Sequence, residues 1–94
     1  MLNIFSTLQQ YAGKWSVVGS RNFTEDEINS VNQAVVVPSQ YGNSVCFYMK
    51  SGCKTFIPLS TDSSLTVGEA VDLSKAKVLT LSKPGEANIT RVSI

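Results

Sequence analysis

Ser44-Val45-Cys46-Phe47-Tyr48-Met49-Lys50-Ser51-Gly52-Cys53-Lys54-Thr55-Phe56-Ile57-Pro58-Leu59 carries two β-favouring runs on either side of Ser51-Gly52. Valine, aromatic, isoleucine and threonine side chains fit a pleated, half-buried surface. A serine–glycine pair between two such runs reads as a hairpin with a two-residue loop. Tight pairing predicts Lys50 opposite Cys53, Tyr48 opposite Thr55 and Phe47 opposite Phe56. Alternation along each strand then sorts the side chains. Val45, Phe47, Met49, Lys54 and Phe56 share one face; Cys46, Tyr48, Lys50, Cys53, Thr55 and Ile57 share the other. Pro58 ends the ladder or sits on an edge, because it has no N–H to donate. Cys46 then lies opposite Ile57, so the two thiols stand four residues apart along the strand. That is ~13 Å at ~3.4 Å per residue, beyond the ~7 Å between Cα atoms that a disulfide spans. The hairpin therefore predicts two reduced thiols.

Upstream, Ala34-Val35-Val36-Val37 is a β-branched run that reads as a buried strand ending at Pro38. Residues 38–43 read as a turn or loop with Tyr41-Gly42-Asn43 at its tip. Residues 23–31 contain a helix start. Thr24 can cap it, Glu27 three residues later completes a capping box, and Phe23 and Ile28 are placed as a hydrophobic staple. Glu25, Asp26 and Glu27 fall in the first turn, where the helix dipole favours negative charge. The acidic cluster is thus a helix-start device. Residues 14–20, with Trp15, Val17 and Val18, read as a first strand, and Gly19 marks a bulge or an edge. Residues 3–12 read as a short amphipathic helix, with Ile4, Phe5, Leu8 and Ala12 on one face and Gly13 as its stop.

Downstream, residues 60–64 are a polar loop, and Val67-Gly68-Glu69 suggests a tight turn into a strand. Residues 77–82 form another strand, with Val78 and Thr80 on one face and Leu79 and Leu81 on the other. Lys83-Pro84-Gly85-Glu86 supplies Pro and Gly where a turn needs them. Residues 88–94 form the last strand. Apolar matching across this hairpin pairs Val78 with Val92, Thr80 with Thr90 and Leu81 with Ile89. The sum is five or six short strands, two hairpins and one or two short helices. The expected fold is mainly β: a small antiparallel barrel, OB-like or SH3-like, forming one domain over residues 1–94.

Composition narrows the function. A hydrophobic fraction of 43% is near the globular norm, which argues against disorder. A net charge of +1 gives no long-range attraction for a polyanion, so any nucleic-acid contact must come from a local basic face. Met1-Leu2-Asn3-Ile4-Phe5 lacks the basic and long apolar regions of a signal peptide. No apolar run approaches the ~20 residues that span a bilayer. An intracellular protein, or a component of a particle assembled inside a cell, is expected.

Catalytic chemistry is sparse. The chain has no histidine, which removes Ser-His-Asp and Cys-His arrangements and leaves zinc short of ligands. Its six glycines are scattered, and none opens a phosphate loop. Glu69 and Asp72 are the only carboxylates placed to act as a hydrolytic pair, in a chain with little room for a cleft around them. The expectation is a non-catalytic protein without cofactor or metal. Binding remains. Six of the eight basic residues follow Met49, and the central hairpin interleaves Phe47, Tyr48, Lys50, Lys54 and Phe56, with Tyr41 in the loop before it. Single-strand binders combine stacking rings with a basic groove. Phe47 and Phe56 fall on the core side of the expected hairpin, which leaves Tyr48 and Lys50 on the opposite face as the better ligand contacts. Lys75 and Lys77 read as a solvated edge.

Three stretches resemble small uncharacterised proteins encoded by gut bacteriophages of the crAss-like group. They are Ala34-Val35-Val36-Val37-Pro38-Ser39-Gln40-Tyr41-Gly42-Asn43-Ser44-Val45-Cys46-Phe47, Phe56-Ile57-Pro58-Leu59-Ser60 and the run from Val67-Gly68-Glu69 to Lys75-Ala76-Lys77. The Ser-x-Tyr-Gly turn entering a β-aromatic strand is also similar to phage OB-fold single-stranded-DNA-binding proteins. That resemblance implies a non-catalytic single-strand binder in the host cytoplasm, serving phage replication or recombination. It carries Tyr41, Tyr48, Lys50, Lys54 and Phe56 over as stackers and phosphate contacts. The alternative is a structural or protein-interaction module, a minor virion component or host-directed adaptor, which can assemble as a homo-oligomer.

Overall fold

The computed structural model describes residues 15–40, 42–61 and 63–94. The helix expected over residues 3–12 and the loop residue Tyr41 lie outside the described residues. The elements run β1 (Ser16–Asn22), α1 (Glu25–Ser30), β2 (Val31–Ser39), β3 (Gly42–Met49), β4 (Lys54–Pro58), β5 (Lys77–Ser82) and β6 (Ile89–Ser93). The protein is mainly β, as its sequence leads one to expect. The expected closed barrel, OB-like or SH3-like, is not what the strands build. They divide into two three-stranded antiparallel sheets, ordered β1-β5-β6 and β2-β3-β4. The sheets meet through a parallel bridge between Leu59 and Val92, where the Ser60 N–H donates to the Val92 carbonyl at 2.7 Å. Hairpins join β2 to β3, β3 to β4 and β5 to β6, one more than the sequence suggests, because Ser39 and Gly42 pair directly across the loop that holds Tyr41.

Each local device has its physical cause. Thr24 accepts from the Glu27 N–H at 3.1 Å, and Glu27 accepts from the Thr24 N–H at 2.8 Å, so the capping box forms as expected. β1 is an edge strand, and its register shifts between Val17 and Gly19, which leaves Val18 unpaired in a bulge. The β5–β6 register is the expected one, with Val78 opposite Val92, Thr80 opposite Thr90 and Leu81 opposite Ile89. The connecting turn places Pro84 before Gly85 (φ +80°), the arrangement of a type II turn. Thr66 to Glu69 forms the expected tight turn, but the strand expected after it does not form: the chain makes a single antiparallel bridge from Ala70 to Val35, with Val36 and Val71 N–H groups donating to Glu69 and Ala34 carbonyls.

The central hairpin differs from expectation by one residue. Tyr48 stands opposite Lys54, Phe47 opposite Thr55, Cys46 opposite Phe56 and Val45 opposite Ile57. The loop is three residues, Lys50-Ser51-Gly52: the Gly52 N–H donates to the Met49 carbonyl and the Met49 N–H to the Cys53 carbonyl, both at 2.9 Å. Gly52 takes φ +93°, the left-handed third position of such a loop. A one-residue slip turns every side chain of a strand over. Lys54 and Phe56 therefore leave the core side, and Thr55 and Ile57 replace them. Cys46 is buried and Cys53 exposed, both as free thiols. Three residues separate Cys53 from Phe56, the partner of Cys46; at ~3.4 Å per residue that is ~10 Å, still beyond disulfide reach.

The core lies between the sheets. Ala34, Val36, Val45, Phe47 and Leu59 from one sheet meet Val78 and Val92 from the other, with Phe23, Val71, Leu73 and Ala76 closing the ends. A bulge at Asn32, where β2 shifts register against β3, brings Val31 back to the core side. No helix among the described residues is long and apolar enough to cross a membrane.

Candidate nucleic-acid interface

The outer face of the β2-β3-β4 sheet is built by alternation. On the side of β3 and β4 away from Val45 and Phe47 stand Ser44, Cys46 and Tyr48 opposite Pro58, Phe56 and Lys54; Ser44 and Cys46 are buried there, Tyr48 is half-buried, and Lys54 and Phe56 are exposed. The Lys54 ammonium lies over the Tyr48 ring, 5.4 Å from its centroid, within the ~6 Å reach of a cation–π contact. Phe56, one pair further along, is 59% exposed. A large apolar ring held this far out on a sheet is not a core residue. Phe47 is one: it is buried against Phe23, the ring centroids 5.8 Å apart.

Lys50 opens the hairpin turn. Its N–H donates to the Ser30 carbonyl at 2.9 Å, which ties the tip to the end of α1 and leaves the side chain exposed. Of the five residues singled out in the sequence, Tyr48, Lys54 and Phe56 thus share one face. Lys50 stands at the end of that face, and Tyr41 falls outside the described residues. Cys46, two residues before Tyr48, raises the Tyr48 phenol above its ordinary value, by hydrogen bonding first and by charge second. The phenol therefore stays neutral well above physiological pH.

The two carboxylates weighed as a hydrolytic pair serve their own turns. Glu69 accepts from both the N–H and the hydroxyl of Thr66. Asp72 accepts from the Ser74 N–H at 3.0 Å and its hydroxyl at 2.6 Å, which holds the Asp72 carboxyl below its usual value.

A second feature had no sequence signal. The outer face of the β1-β5-β6 sheet carries a cleft of ≈ 400 Å³ lined by Trp15, Val17, Ser60, Thr61, Leu79, Leu81 and Arg91. Lys83 lies over the Trp15 ring, 5.5 Å from its centroid. These residues are scattered along the chain: Val17, Leu79, Leu81 and Arg91 meet through strand pairing, and Trp15, Ser60 and Thr61 join them from outside the strands. Apolar periodicity in β1 and β5 was visible; that both strands turn this side toward one cleft was not.

No known family, curated protein or solved structure matches this chain. What the site can do is argued from its chemistry. Two rings and two ammonium groups on and beside one sheet face can stack flat groups and neutralise phosphates. Among the described residues of the face, no nucleophile is paired with a base.

Proposed function

We propose that the chain binds single-stranded nucleic acid, without catalysis, on the outer face of the β2-β3-β4 sheet. The observation that carries this reading is the register that brings Tyr48, Lys54 and Phe56 to one side, with Lys50 at its end. Base–ring stacking is worth ~1–3 kcal/mol per base. Moving the Lys54 ammonium off the Tyr48 ring costs about 0.5–1 kcal/mol at an exposed site. Stacking wins that exchange, and the released ammonium is free to meet a phosphate. In this reading the sheet does the work of an OB-like barrel face: it holds rings on a rigid, twisted platform. The proposed setting, host cytoplasm during phage replication or recombination, rests on the sequence resemblance alone.

Fluorescence anisotropy of a labelled oligothymidine, titrated at low and moderate salt, tests the proposal. Saturable binding is expected, with a salt slope near −1.4 if Lys50 and Lys54 each neutralise one phosphate, at about −0.7 per contact. Tyr48→Ala and Phe56→Ala should each weaken binding by about 5- to 150-fold, the equivalent of one stack. Lys54→Gln should reduce the slope by about 0.7. Absent or salt-insensitive binding would overturn the proposal.

A protein-interaction role is the second reading, and one observation favours it. Among the described residues β1 pairs on one side only, and Val17 and Val18 are each 59% exposed on it; such an edge can accept an added strand. The bulge at Val18 works against it, because bulges twist edges away from pairing. Light scattering that reports a defined oligomer would move the balance toward this reading.

A further inference from the structure

We infer that the Trp15 cleft is a second site, and that its ligand is a nucleotide: a flat base joined to a phosphate. Its volume of ≈ 400 Å³ falls in the ~300–1,000 Å³ range of small-molecule sites. The lining is chemically divided. Trp15, Val17, Leu79 and Leu81 make an apolar and aromatic wall, whereas Ser60, Thr61 and Arg91 make a polar one. None of these lining residues is acidic.

Arg91 is preset. One guanidinium nitrogen donates to the Leu59 carbonyl at 2.8 Å, across the junction of the two sheets. This fixes the fork while its other N–H groups make no hydrogen bond among the described residues. Arginine held in this way recognises phosphate in a planar, bidentate manner. Lys83 adds a second cation at the indole. Arg21, by contrast, is committed to Glu27, whereas neither Lys83 nor Arg91 has an acidic partner among the described residues. Two cations with no acidic partner among the described residues, beside a tryptophan and two hydroxyl-bearing residues, favour an aromatic anion over a purely apolar ligand.

The two sites are close along the chain. Ile57 and Leu59 point to the core, so Phe56, Pro58 and Ser60 follow one another on the outer side. From Phe56 to Ser60 is four residues, ~13 Å along an extended chain. A short oligonucleotide stacked on Phe56 can reach the cleft. The strand arm of this inference rests on the proposed function; the free-nucleotide arm does not.

Trp15 is the sole tryptophan of the chain, so its emission, excited at 295 nm, reads the cleft directly. The protein is titrated with thymidine monophosphate, with thymidine and with oligothymidine, and anisotropy is recorded for the last. Saturable quenching by the monophosphate, and at least tenfold weaker quenching by thymidine, is expected. Lys83→Gln should raise the half-saturating monophosphate concentration about tenfold. Arg91→Gln should do the same, with circular dichroism checking that it folds. Oligothymidine that binds by anisotropy while Trp15 emission stays unchanged, with the monophosphate also silent, overturns the cleft and leaves the β3–β4 interface standing. Quenching by the monophosphate without oligothymidine binding supports the cleft as a free-nucleotide site and removes the strand reading. Equal quenching by thymidine and its monophosphate overturns the phosphate assignment.

Discussion

Glu27 accepts three hydrogen bonds. Arg21 donates to both its oxygens, at 2.7 and 3.1 Å, and the Thr24 N–H donates to one of them at 2.8 Å. The Arg21 guanidinium is the largest reason that the Glu27 carboxyl falls from 4.5 to about 2, with the Thr24 N–H next. A carboxyl depressed in the folded state stabilises the fold above its unfolded value and loses that contribution as pH falls through the folded one. The window therefore runs from about pH 4.5 down to about 2. Both side chains are more than a third exposed, so solvent screening limits the effect to about 1 kcal/mol or less. Urea denaturation across that window should show wild type losing stability relative to Glu27→Gln, which keeps a capping acceptor and cannot ionise. Parallel pH profiles would show that the ion pair contributes nothing. The capping half of this cluster was legible, because Thr24 and Glu27 stand at capping-box spacing. Arg21 was not, because its approach depends on the direction in which β1 enters α1.

At the scale of elements, glycine decided what periodicity could not. Two β-rich runs around Ser51-Gly52 announce a hairpin, but alternation alone fits a two- or a three-residue loop equally well. A two-residue type I′ loop needs a left-handed Ser51 as well as a left-handed Gly52; only Gly52 is left-handed, so the longer loop forms and β4 is turned over. An added Cβ at Gly52 meets no atom within 4 Å, so its cost is backbone strain alone. Gly52→Ala should destabilise the fold by about 1–2 kcal/mol, and Gly52→Asn by less, since Asn tolerates this conformation. Gly19→Ala is the control: its Cβ would sit 3.5 Å from Thr80 without a left-handed φ, and thermal melting should barely change. The β5–β6 register was readable because apolar residues there match only one way. The β2–β3 hairpin was missed because Pro38 and the loop residues conceal a ladder that continues to Ser39 and Gly42.

For the whole molecule, alternation indicated which sides of the strands are apolar but not whether the sheet closes. Closure depends on tilt and on which edges meet, and these edges meet at one bridge, Leu59 with Val92. The same limit hid the division of labour between two phenylalanines that the expected hairpin placed together. Phe47→Ala empties a packed core position and should cost about 3–5 kcal/mol. In a domain of this size that lowers the melting temperature by more than ~10 °C. Phe56→Ala removes an exposed ring and should leave melting nearly unchanged while weakening oligothymidine binding. A large melting shift for Phe56→Ala would mean that this face is covered in solution.

The pairing of β1 with β5 also sets a timetable for synthesis. Sheet β2-β3-β4 is a meander whose neighbours leave the ribosome in succession. β1 is translated before all of them, yet its partner begins only at Lys77. At ~5–20 residues per second the interval from Asn22 to Lys77 lasts roughly 3–11 s. During that interval neither edge of β1 has its ladder, and Val17 and Val18 are open to any nascent neighbour on the same message. The Val18 bulge then protects more than the finished fold: it makes the strand that waits longest a poor template for its copies.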